Sequence, residues 1–61
     1  MTQAQVTMLR DYAAKGFEAQ SDKIYMRGVA DQFVARKGAL ISDKSDKELC
    51  QAFEEWMGAW D

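Results

Sequence analysis

Ser45-Asp46-Lys47-Glu48-Leu49-Cys50-Gln51-Ala52-Phe53-Glu54-Glu55-Trp56-Met57-Gly58-Ala59-Trp60-Asp61 is the stretch that decides the fold of this chain. At 100° per residue, Leu49, Cys50, Phe53, Trp56, Met57 and Trp60 fall within about 120° of one another, the pattern of a helix with one buried stripe. Ser45 followed by Glu48 fits a capping box, in which hydroxyl and carboxylate each accept from the other residue's backbone N–H. The pattern predicts a helix over 46–60 that buries Leu49, Phe53, Trp56 and Trp60, with Glu54, Glu55 and Asp61 left on the outside.

Working back from that helix, Ser21-Asp22-Lys23 reads as the start of another, with serine as N-cap and an acid complementing the helix dipole. Met26, Val29, Ala30, Phe33 and Val34 form its core face. Lys37-Gly38 reads as its stop, a basic last turn followed by glycine, so the expected span is 22–37. Ala39-Leu40-Ile41 is too short for a paired strand and is expected to be a connector plugged into the core.

Thr2 and Gln5 make a further capping box at the head of the chain. Val6, Leu9, Ala13 and Phe17 recur at helical spacing behind it, which predicts a helix over about 3–19 with Val6, Leu9 and Phe17 in the core. Lys15-Gly16 offers an earlier stop, and the sequence does not decide between Gly16 and Gln20. The triplet Ser-Asp-Lys occurs at 21, 42 and 45. The residues that follow the copies do not align, so the repetition is assigned to capping chemistry.

The 61 residues therefore read as one all-α domain, 1–61, a small three-helix bundle made of a helical hairpin and a packed C-terminal helix. A chain this small buries only about 60% of its unfolded surface, which leaves little room for a catalytic cleft. With 48% apolar and 30% charged residues and no proline, it belongs with globular rather than disordered chains. No apolar run approaches the roughly 18 residues of a membrane span. The opening Met1-Thr2-Gln3-Ala4-Gln5 lacks the basic-then-apolar layout of a signal peptide, so a cytoplasmic protein is expected. The lone Cys50 agrees with a reducing compartment.

Chemistry is sparse. There is no histidine, so the single cysteine cannot complete a tetrahedral zinc site, and no metal or cofactor is expected. Asp43, Ser45, Gln51 and Glu54 match some positions of a calcium loop, but Lys47 and Glu48 stand where a ligand and the turn glycine are needed. No phosphate-binding glycine loop or activated nucleophile is present, and the chain is not expected to be an enzyme. Cys50 has no adjacent cation or second thiol and reads as a small hydrophobe.

Binding is the remaining class. Met8 and Tyr12 lie off the first helix's stripe, and Ile24, Gly28, Asp31 and Ala35 form a row along the back of the second. Together these six predict a second apolar face, a partner interface that a close-approaching helix or a second copy of the chain could cover. Acidic Glu54, Glu55 and Asp61 form a candidate docking face for a basic partner. Small acidic helical chains without enzymatic equipment are common among bacterial and phage accessory factors. The expected function is thus a protein–protein interaction module, a regulatory or inhibitory accessory protein that binds a larger protein, with a homodimer as one form of association.

The alternative is a nucleic-acid-binding accessory or transcriptional regulator using Arg27, Arg36 and Lys37. Residues 21–41 carry four cations against two acids, whereas 42–61 sum to −4 within a total of −2. A recognition helix bearing Asp46, Glu48, Glu54, Glu55 and Asp61 would repel phosphates, which makes nucleic acid the weaker expectation.

Overall fold

The computed structural model describes residues 1–58 and contains three helices, α1 Gln3–Ala14, α2 Gln20–Ile41 and α3 Asp46–Gly58. It is an all-α three-helix bundle. Met1 packs over Gly38 while Arg10 pairs with Asp31, so α1 and α2 run antiparallel as a hairpin. Helix α3 packs against both.

Local chemistry sets the helix starts. The Thr2 hydroxyl accepts from the Gln5 N–H at 3.2 Å, and the Thr2 N–H donates to Gln5 Oε1 at 2.9 Å, so two orphan donors are satisfied at the head of α1. Ser45 and Glu48 make the same reciprocal pair at the head of α3, at 3.3 and 3.1 Å. Helix α2 differs, because its N-cap is Ala19, with no side-chain cap. Ser21 lies inside the helix rather than at its cap, and Asp22 falls in the first turn.

Two boundaries depart from the sequence expectation. Helix α1 stops at Ala14, short of both Gly16 and Gln20. Lys15 adopts φ −62° and ψ 133°, Gly16 takes φ +91°, and the Phe17 N–H donates to the Ala14 carbonyl at 3.2 Å. That is a type II β-turn, whose third residue needs the left-handed backbone glycine supplies. Phe17, expected in the core, sits beyond the turn and is 40% exposed because the helical register that would have buried it has ended.

The second departure is at Gly38, which does not stop α2. The helix runs on to Ile41, so Ala39-Leu40-Ile41 is its last turn and not a connector. A glycine inside a helix costs about 1 kcal/mol, whereas burying an aliphatic side chain contributes about 1.5–3 kcal/mol. Ile41 is buried and Gly38 lies beneath Met1 Sδ, so burial outweighs the local stop. Leu40 faces away and is 74% exposed.

The core joins Leu9 and Ala13 of α1, Met26, Val29, Ala30, Phe33 and Ile41 of α2, and Leu49 and Phe53 of α3. Aromatic rings form its centre. Phe33 meets Phe53 edge-on at a centroid distance of 5.3 Å, and Trp56 packs on both Phe33 and Phe53 at 5.3 and 6.2 Å. Val6 and Trp56 are half-buried. Trp60, expected in the same stripe, and Asp61, expected on the acidic face, lie outside the described residues. Among the described residues, no helix is long and apolar enough to cross a membrane.

Candidate functional site

The six expected interface residues do not come together as one face. Helical spacing keeps Ile24, Gly28, Asp31 and Ala35 in a row on the exposed side of α2, and all four are exposed. Met8 and Tyr12 are half-buried against the core. Tyr12 sets its ring edge-on to Phe53 at 6.5 Å and donates its hydroxyl to the Glu54 carboxylate. Helix α3 has thus engaged Tyr12, while Met8 and Tyr12 still line a groove towards α2.

Among the described residues, these positions border two grooves that share no residue. The first, of about 350 Å³, is lined by Ile24, Tyr25, Gly28, Val29 and Gln32 on α2 alone. Gly28 is its notch, with nothing within 4 Å of where a Cβ would stand. Ile24 and Tyr25 border it at 61% and 69% exposure, while Val29 anchors the opposite side in the core. Tyr25 was not singled out by sequence periodicity, though its place three residues before Gly28 sets it beside the notch on the helix surface.

The second groove, of about 480 Å³, lies between the end of α1 and the start of α2 and contains Met8, Tyr12, Lys15, Lys23 and Arg27 among its walls. Asp31 plays a different part from the one expected. Its Oδ1 stands 3.2 Å from Arg10 Nε as an ion pair across the hairpin, with both side chains partly exposed. An exposed pair of this kind is worth about 0–1 kcal/mol, so it orients the hairpin more than it holds it.

The proposed basic and acidic surfaces are also redistributed. Arg27 and Arg36 are nine residues apart, which at 100° each turns them to opposite sides of α2. Lys37 is exposed further along, so the three do not form one phosphate-tracking stripe. On α3, Glu54 and Glu55 are both exposed, but Glu54 is engaged by Tyr12. The neighbouring carboxylate raises the Tyr12 phenol above its ordinary range, chiefly through their hydrogen bond. Burial, with Asp46 and Glu54 nearby, pushes the Cys50 thiol up as well, which disfavours the reactive thiolate. Among the described residues, no group of three Cys, Asp or Glu side chains could hold a metal ion.

The chain matches no protein-family model, no curated protein and no solved structure.

Proposed function

We propose that this chain is a protein–protein interaction module, a regulatory or inhibitory accessory protein that docks on a larger protein through the groove around Gly28 and does not act as a catalyst. The observation that carries this reading is the exposure of Ile24 and Tyr25 beside a helix position with no side chain. Scattered exposed apolar residues are ordinary on a surface. Here two large ones flank a notch, a shape that admits a partner's side chain and lets its backbone come close. Tyrosine is also among the residues that carry most binding energy at such centres.

Capture of a partner by the wild-type chain, compared with Ile24→Asp and Gly28→Leu, tests the reading. Both variants should fold, since Ile24 and Gly28 are exposed, and both should lose capture. Sedimentation over a range of concentrations separates a homodimer from a chain that binds a different protein. Equal capture by both variants, with the chain monomeric throughout, would sink the proposal.

A further inference from the structure

The groove between α1 and α2 has a character opposite to that of the Gly28 notch. The type II turn at 14–17 folds the end of α1 back beside the start of α2, which brings Lys15 to the same groove as Lys23 and Arg27. Lys23 and Arg27 are four residues apart and share one side of the helix. Met8, Tyr12 and Ala14 make the floor, and Asp11 is the one acid in the lining. Because the Tyr12 hydroxyl is engaged by Glu54, the floor offers its ring.

The single ion pair among the described residues is Arg10–Asp31, so among these residues no carboxylate pairs with Lys15, Lys23 or Arg27. The chain as a whole carries a formal net charge of −2. A groove with three cations and one acid reverses that sign locally and keeps an apolar floor beneath the charges.

We infer that this groove receives an acidic amphipathic segment of a partner protein, with its carboxylates on Lys15, Lys23 and Arg27 and an apolar side chain on the floor of Met8 and Tyr12. Carboxylates spaced i and i+4 on a helical segment match the spacing of Lys23 and Arg27. A nucleic-acid strand would stack a base on the Tyr12 ring, but its phosphates recur at every nucleotide and would meet Asp11 within a chain of net charge −2, whereas a helical segment can place a neutral side chain there. A second copy fits less well, since the apolar stripe of α3 is consumed in its own core and only its acids would be offered. This site does not depend on the Gly28 groove and would add a second point of attachment.

The probe is a synthetic helical peptide with glutamates at i and i+4 around a leucine, and its binding is read by fluorescence anisotropy and by amide shifts. Saturable binding is expected, weakened roughly tenfold or more by Lys23→Glu or Arg27→Glu. It should weaken as salt rises from about 50 to 300 mM, because exposed charges are then screened. Replacing the peptide's leucine by serine should weaken it too. Ile24→Gln, in the other groove and without added charge, should leave it unchanged, so failure here is distinguishable from failure of docking at Gly28. Lys15→Glu serves if a helix variant fails to fold. Absence of peptide binding, equal binding by the charge-reversed variants, tighter binding of a single-stranded oligonucleotide, or shifts that track self-association would each overturn the inference.

Discussion

The Tyr12 hydroxyl donates to the carboxylate of Glu54, joining the last turn of α1 to the outer edge of α3 across 42 positions of sequence. The same ring packs edge-on against Phe53, so Tyr12 contributes both a polar and an apolar tie between helices distant in the chain. It also lines the cationic groove.

That hydrogen bond needs the neutral phenol, and the Tyr12 pKa is raised in the folded chain by the bond, by desolvation and by the charge of Glu54. A folded value above the unfolded one means its stabilisation is present below the ordinary phenol range of about 10 and is lost as pH rises through the raised value. Melting temperature should therefore fall in alkali. Tyr12→Phe should lower the melting temperature at neutral pH and remove that part of the alkaline loss, while Tyr12→Ala should cost more by also removing the contact with Phe53. If Tyr12→Phe melts like the native chain at both pH values, the tie is not stabilising.

Glu48 works in the other direction. Its carboxyl lies below the usual range because the Ser45 backbone N–H, and then the Ser45 hydroxyl, donate to it. The resulting stability is present above the unfolded value of about 4.3 and disappears as pH falls through the lower folded value. Ser45→Ala should cost about 1 kcal/mol by removing the cap. An NMR titration of the Glu48 side chain should move its midpoint up in that variant, and an unmoved midpoint would contradict the assignment.

Alanine at two open glycines should have opposite effects. Gly16 and Gly28 both have empty space where a Cβ would stand, but Gly16 has φ +91° and Gly28 is helical. Gly16→Ala should destabilise by about 1–2 kcal/mol from the left-handed backbone alone. Gly28→Ala should stabilise by about 1 kcal/mol through helix propensity. Denaturant titrations that give both changes the same sign would refute the backbone argument. A Gly28→Ala chain that is more stable but binds its partner less well would link the glycine to docking.

Cys50 should be a slow nucleophile. Its pKa is raised first by burial and then by Asp46 and Glu54, which keeps the thiol protonated through neutral pH. Alkylation by iodoacetamide at neutral pH should lag behind a small free thiol and accelerate only in alkali. A rate equal to or above that of the free thiol would show a thiolate that these surroundings do not explain.

The candidate sites were only half legible in the sequence. The row Ile24, Gly28 and Ala35 follows from helical spacing and is exposed along α2, but Met8 and Tyr12 belong to a different surface. Which side of α1 stays open depends on where α3 crosses, and no local pattern encodes that crossing. The cationic groove was invisible for the same reason, since Lys15 joins Lys23 and Arg27 only after the turn at Gly16 folds the chain back.

What the sequence alone determined is the chemistry that acts over a few residues: three helices, the caps at Thr2 and Ser45, and the aromatic stripe of α3. The cost of a left-handed backbone at Gly16 is local in the same sense. Tertiary structure decided the outcomes in which distant groups compete with local preference. Ile41 carries α2 through Gly38 because its burial outweighs the glycine's helix penalty, and Tyr12 turns inward because Phe53 and Glu54 stand there to receive it. Both depend on which surfaces meet, an energy that arises only when the helices pack.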